Sequence, residues 1–389
     1  MAAVPVKNIP DVLVIGGGVV GCALARELAS RGLDATVVER GQPGEEASWA
    51  AAGLLSPQSD ARTPGAFFDL LIESRSLYPE WTRELEDETK LPVGYRRLGI
   101  LRCAFSEAER ERMSSRFLWQ RQAGFALAEL AAEEISASFQ GRIAREVVGG
   151  VFFPEDGVVH NRLLTRALAL SAESRGVRLL AGTAALGFRI VGGGCRGVET
   201  AAGPLEAGCV VDAAGAWAGF DAALSVQVPV EPVRGQIVAL RPPGLALPSV
   251  VESDDVYLVP RPDGTTLAGA TVEHVGFQKE VTAGGMHALT GAAIRLVPEL
   301  ARARFVEAWS GLRPGTPDGL PLLGRTAAVQ GLLFAAGHYR NGVLLAPVTA
   351  RIVADLVTGA GSRDLSPFSP DRFAEKSHEV STRIRGQFG

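Results

Sequence analysis

The feature that most constrains this chain is a glycine cluster set between a short apolar run and a helical apolar pattern. Residues 11–15 read DVLVI, and Gly16, Gly17, Gly18, Val19, Val20 and Gly21 follow. Residues 21–30 (GCALARELAS) carry apolar positions at helical spacing, and Gly32 stops them. A second β-rich run, 35–38, ends at Glu39. The order is strand, glycine turn, helix, strand, acid. Gly16 permits the tight turn, Gly18 lets backbone N–H groups approach a pyrophosphate, and Gly21 lets the helix pack against the strand. The helix N-terminus then stabilises phosphate charge. Glu39 lies 18 positions beyond Gly21, near the separation expected for an acid that bonds a ribose hydroxyl. An acid there disfavours a 2′-phosphate, so NADP is not expected. The competing reading is a glycine turn that serves packing alone.

Composition narrows the class further. The chain has 389 residues, 47% apolar and 21% charged, with net charge −4. That is globular composition, long enough for two domains or one large α/β body. The acidic balance and the lack of a basic block argue against nucleic acid as a partner. No apolar run approaches the roughly 18 residues of a membrane span, so no membrane partner is expected. Cys22, Cys103, Cys195 and Cys209 fall in no paired or metal-ligand spacing. With no signal-peptide pattern in residues 1–10, a reducing, cytoplasmic location is expected.

Three further segments bear on which dinucleotide binds. Residues 47–54 (ASWAAAGL) are small, with one hydroxyl at Ser48, and suit either a planar ring lying on backbone or a tight buried turn. Residues 209–217 (CVVDAAGAW) form a strand entering a turn at Gly215. Residues 331–345 (GLLFAAGHYRNGVLL) form another strand and a glycine turn, with a helix expected over 344–358 and Pro347 in its first turn. Its N-terminus would favour negative charge on a reduced ring.

Together these segments resemble the D-amino-acid oxidase superfamily of FAD enzymes across nearly the whole chain. Residues 232–236 (PVRGQ), 257–261 (YLVPR), 269–271 (GAT) and 311–319 (GLRPGTPDG) look closest to its glycine oxidase branch, which serves the thiamine pathway. The resemblance implies noncovalent FAD, since no cysteine stands in 313–318, where some relatives attach it. It implies that Glu39 binds ribose, with Val19, Val20, Arg40, Ala47 and Ser48 near the pyrophosphate and adenosine. Ala185 would offer backbone to adenine. Ala52, Gly53 and Leu54 would lie near the flavin, as would His338, Tyr339, Arg340, Asn341, Gly342, Val343 and Leu344. It also implies oxidative deamination of glycine and small amines, such as sarcosine and small D-amino acids, to an imine, then a 2-oxo acid and ammonia, with hydrogen peroxide as the other product. Dioxygen would be the acceptor and a homotetramer the assembly. A D-amino-acid dehydrogenase or sarcosine-oxidase-like enzyme is the alternative, and a tRNA-modification oxidoreductase domain is disfavoured by the acidic pI of about 5.9.

On the substrate side, Arg313 sits in a Gly/Pro segment and Arg340 in a glycine loop. A buried guanidinium needs an anion, either a structural acid or a substrate carboxylate. Asp318 is the structural candidate for Arg313; the resemblance favours a substrate carboxylate. Tyr257 could donate a second hydrogen bond to that carboxylate, and Arg340 would reach the same site. Three residues depart from the resembling pattern: Trp49, Asp255 and Val272. No general base and no metal cluster is expected, because His160, His274, His287, His338 and His378 are scattered. Residues 107–112 read as a solvated helix face and 127–135 as an amphipathic helix.

The expected fold is α/β (α+β): a Rossmann-like FAD-binding domain with an interleaved antiparallel-sheet substrate domain. The expected ranges are 1–85, 150–222 and 320–375 for the first, 86–149 and 223–319 for the second, and 376–389 for a tail.

Overall fold

The structure is a computed structural model that describes residues 9–374 apart from 222, 223, 225 and 227. The tail 376–389 and His378 lie outside the described residues.

Two large sheets organise the chain. The first has six strands in the order Leu322–Arg325, Leu332–Ala336, Cys209–Asp212, Val12–Ile15, Ala35–Glu39, Arg178–Ala181. Neighbours run parallel except Leu322–Arg325, which is antiparallel to Leu332–Ala336. Val12–Ile15 is central and wholly buried, which is why it reads as a continuous apolar run. Its side chains alternate between two cores. Val12 and Val14 join the core formed with helices Val19–Ser30, Asn161–Ser174 and Gly342–Thr358. Leu13 and Ile15 face the core that contains Phe188 and Val198 of a three-stranded antiparallel layer.

Local differences from the sequence reading have physical causes. The first helix starts at Val19, because Gly18 is its extended N-cap and the chain turns at once. The helix expected from 344 starts at Gly342. Pro347 inside it has no N–H to give Val343, and the Val343 carbonyl accepts from the Tyr78 hydroxyl instead. Residues 127–135 are not one helix. Strand Ala128–Ala131 pairs with Gly149–Phe153 and then enters helix Ala132–Ser138, so sheet pairing overrides the helix propensity of Ala, Leu and Glu. The Glu134 carboxylate accepts the Ala131 N–H at 2.8 Å and caps that helix.

The second sheet has eight strands in the order Arg304–Gly315, Glu231–Arg241, Thr266–Gly269, Tyr257–Pro260, Val250–Glu252, Ile100–Ala104, Gly149–Phe153, Ala128–Ala131. It is antiparallel except where Val250–Glu252 runs parallel to Ile100–Ala104. The strand Gly149–Phe153 lies wholly in this sheet, between Ile100–Ala104 and Ala128–Ala131. One face, with Val238, Leu240 and Leu258, packs with Leu289, Ala293 and Leu296 of helix Ala283–Leu296. The other, with Ile237, Ala239, Val259 and Trp309, packs against Ala50 and Ala52. The functional cavity lies where that second face meets the first sheet's glycine turn.

Candidate active site

The turn at Gly16 is built to exclude side chains. Gly16 has φ +101°, and a Cβ there would stand 2.5 Å from the Ala213 carbonyl oxygen. A Cβ on Gly21 would stand 1.9 Å from the Gly16 oxygen, so only glycine lets the helix cross the turn this closely. Glu39 closes the turn, its carboxylate accepting the N–H of Gly17 at 2.8 Å and of Gly41 at 2.8 Å. At the helix N-terminus the Val19 N–H donates to Ser48 Oγ at 2.9 Å. This leaves the Ser48 O–H as a donor at the positive end of the helix.

The loop 47–54 is gripped from behind by its carbonyls. Asn161 Nδ2 donates to the Ser48 and Trp49 oxygens at 2.8 and 3.0 Å. Trp309 Nε1 donates to Ala50 O at 2.9 Å, and Arg261 donates to Ala52 O at 3.0 Å. Arg162 lies 3.6 Å over the Trp49 ring. The N–H groups of Ala52 and Gly53 have no hydrogen-bond partner among the described residues, and both residues line the cavity. Asn161, Arg162, Arg261 and Trp309 escaped the sequence reading. Polar residues that bind backbone at a sequence distance leave no local signature, and only the Trp309 position on a strand hints at one.

A cavity of about 300 Å³ joins these parts to the second sheet. Gly18, Val19, Val20, Ala47 and Ser48 line one end, with Ala52, Gly53, Leu54 and Gly215 beside them. His338, Tyr339, Arg340, Gly342 and Val343 line it at the start of the last long helix. Tyr257 and Arg313 line it from the sheet. Gly16, Gly21, Glu39, Arg40, Ala185, Asn341 and Leu344 are outside that lining. Arg40 pairs with Glu46 at 2.5 Å and lies 3.5 Å over Trp217. Ala185 sits half-buried in the core under the six-stranded sheet.

Sheet register explains why Arg313 and Tyr257 meet. Arg313, Gly311 and Trp309 alternate onto the cavity face, and Gly311 pairs with Gly235. Ile237 pairs with Gly269, which pairs with Tyr257. Three strand spacings of about 4.8 Å separate the strands of Arg313 and Tyr257. Gly235 and Gly269 occupy the strands between and present bare backbone. A Cβ on Gly235 would meet Arg313 Nη1 at 2.3 Å, and one on Gly269 would meet the Tyr257 hydroxyl at 2.6 Å. Both long side chains therefore lean across glycine floor toward one another. The glycines stood in the motifs, yet their role depends on a register that one strand does not disclose.

The electrostatics separate the two arginines. Asp318 pairs with Arg372 at 2.8 Å rather than with Arg313, which corrects the structural candidate named above. Arg313 Nη1 donates to the Thr271 and Arg234 carbonyls at 3.0 and 3.4 Å, and no carboxylate of the described residues pairs with it. Burial pushes its pKa down, Tyr257 opposes the shift, and the Arg340 charge reinforces it. Burial raises the Tyr257 phenol, against the pull of Arg313. Arg340 is half-exposed and pairs with Asp60 at 3.7 Å; burial lowers its pKa, but Asp60 and Tyr339 outweigh this. Burial holds His338 down at about 4, and its Nε2 lies 3.1 Å from the Thr349 hydroxyl. It is therefore neutral near pH 7. No cluster of three or more His, Cys, Asp or Glu fit for a metal occurs among the described residues. No helix of the described residues is long and apolar enough to cross a membrane.

This geometry matches a known family. Residues 11–356 match the family described as FAD dependent oxidoreductase. The chain belongs to this family. Glycine oxidase of Geobacillus kaustophilus is 37% identical over 370 residues, covering 94% of this chain and 98% of that one. Its crystal structure superposes with a TM-score of 0.90 over 93% of this chain. The bifunctional protein ThiO/ThiG of Trichormus variabilis is 40% identical over 372 residues, covering 94% of this chain but 56% of that one. The chain thus spans little more than half the length of that relative. FAD is the family's cofactor, and the residues fit it. A cradle closed to any Cβ, a serine hydroxyl at a helix N-terminus and two open amides at the small-residue loop are the donors that a phosphate and a flat ring require.

Proposed function

We propose that the chain oxidises glycine and small relatives such as sarcosine. The observation that carries this is Arg313, whose buried guanidinium faces the cavity without a protein carboxylate. Leaving it unpaired is costly, so the arrangement calls for an anionic ligand. Arg313 supplies a planar fork to the substrate carboxylate and Tyr257 an O–H, fixing orientation as well as affinity. Arg340, tied to Asp60, stands as a second guanidinium at the cavity. The glycine turn, Ser48 and loop 47–54 hold the FAD, with Glu39 on its ribose and Ala185 toward its adenine. Noncovalent attachment is part of the proposal, and among the described residues no cysteine lines the cavity.

FAD, when bound, accepts two electrons with the hydrogen of the α carbon. The chain's own residues orient and polarise. Arg313 and Tyr257 hold the carboxylate so that the α C–H faces loop 47–54. The nearby Arg313 charge and the poor solvation beside it lower the pKa of the substrate ammonium, so the amine is delivered neutral without a dedicated base. The oxidised product is an imine, which water converts to a 2-oxo acid and ammonia, or methylamine where sarcosine is the substrate. Dioxygen is the proposed acceptor, and supply of thiazole synthesis for thiamine the proposed role. We also propose that the two sheets mark two bodies, one for cofactor and one for substrate, joined at the cavity. Anaerobic mixing of the yellow holoprotein with a panel of amino acids tests the reading. Fastest bleaching of the flavin by glycine and sarcosine supports it. Preference for large D-amino acids points instead to a dehydrogenase.

A further inference from the structure

Arg313 Nη1 donates to two backbone carbonyls, Thr271 O and Arg234 O, and the side chains of both of those residues are bound by Glu273, which is bridged to Arg234 in the sheet. Glu273 Oε1 accepts from Gln236 Nε2 at 2.7 Å and from the Thr271 hydroxyl. Its Oε2 accepts from Arg234 Nη2. Its backbone exchanges two hydrogen bonds with Arg234, at 2.9 and 3.0 Å. The Thr271 hydroxyl in turn accepts the Gln236 N–H at 2.9 Å. Arg234 and Gln236 are buried, Gln236 wholly so and tied to Thr282 at 2.8 and 3.1 Å.

We infer that Glu273 is a positioning residue for substrate, its carboxylate fixing the side chains of Thr271 and Arg234, the two residues whose carbonyls aim Arg313. This rests on the carboxylate-binding role proposed for Arg313. The layout separates two tasks. Arg234, which does not line the cavity, takes the carboxylate of Glu273. Arg313, which does line it, is offered only neutral carbonyls through Nη1. Its positive charge is matched by no carboxylate of the described residues and stays available to an incoming acid. Direct pairing of Glu273 with Arg313 would fill the site with the protein's own anion. Glu273 serves the clamp from its position beside Arg234, to which it is bridged antiparallel.

The test uses holoprotein of Glu273→Ala, Glu273→Gln, Arg313→Ala and the Arg313→Ala/Glu273→Ala double variant. Acetate affinity is read from the flavin absorption change, with KM and kcat for glycine beside it. Glu273→Ala should weaken acetate binding and raise KM by about tenfold, with kcat at saturation within about twofold. Glu273→Gln, which keeps one acceptor oxygen but replaces the other with a donor and removes the charge, should fall between it and the parent. In the Arg313→Ala background, Glu273→Ala should change acetate affinity no further. The inference is overturned if Glu273→Ala leaves acetate affinity unchanged while Arg313→Ala weakens it, or if the two effects add in full. If Arg313→Ala itself leaves acetate affinity unchanged, the proposed function fails first. Should Glu273→Ala not fold, Thr271→Val removes one link and keeps the carbonyl. It should raise KM by about threefold, and an unchanged KM contradicts the inference.

Discussion

The phosphate-binding end and the clamp end of the cavity are built on opposite plans. The first is backbone: Gly16, Gly18 and Gly21 clear side chains away so that amides and a helix terminus face the ligand. The second is side chain: Arg313 and Tyr257 reach over Gly235 and Gly269 from strands that are not adjacent. Glycine serves both, first as a means for main chains to touch and then as floor for two long side chains. A backbone site forms from consecutive residues. The side-chain site exists only when four strands take their correct register.

Breaking the two ends should therefore give different failures. Gly21→Val has the largest expected effect, because even a Cβ would overlap the Gly16 oxygen. Overpacking of roughly 1–3 kcal/mol or more should leave protein that is destabilised and colourless, read by thermal unfolding and FAD content. Arg313→Ala should keep FAD yet lower kcat/KM for glycine by roughly 30- to 1000-fold, the scale for losing one partner of a buried charged contact. Gly235→Ala sharpens the comparison, since the added methyl meets Arg313 Nη1 without touching the phosphate turn. Its kcat/KM should fall by roughly 5- to 100-fold with FAD content unchanged. Tyr257→Phe should lose about tenfold, one ordinary hydrogen bond.

The smallest effect concerns His338. Its folded pKa of about 4 lies below the unfolded value of about 6.5, so the unfolded state binds the extra proton as pH falls. Its stabilising contribution is complete above about pH 6.5 and is lost toward pH 4. Asp156 and Asp212 oppose this trend, since burial raises them to about 7 and about 6, and so only a difference isolates His338. Unfolding temperatures of apoprotein at pH 7 and pH 5 should fall less in His338→Asn than in the parent.

The same contrast sets what was legible in the sequence. The turn at Gly16, the helix behind it and Glu39 are consecutive, and their spacing stated the fold of the first sheet. Family resemblance singled out Arg313 and Tyr257 together with the motifs around Gly235 and Gly269. The residues that shape the site from behind were not readable. Asn161, Arg261 and Trp309 act on the backbone of loop 47–54 from more than 100 positions away. Asp318 looked like the partner of Arg313 because it is near in sequence, but Arg372 takes it once the chain folds back. Segment 127–135 misled for the same reason, its helical composition yielding to a strand partner at Gly149–Phe153.

The most direct test of the account is the affinity of the oxidised holoprotein for a small carboxylate, read from the flavin spectrum with and without Arg313. The account predicts saturable acetate binding that Arg313→Ala weakens at least tenfold while FAD stays bound. Equal affinity in both proteins would contradict it.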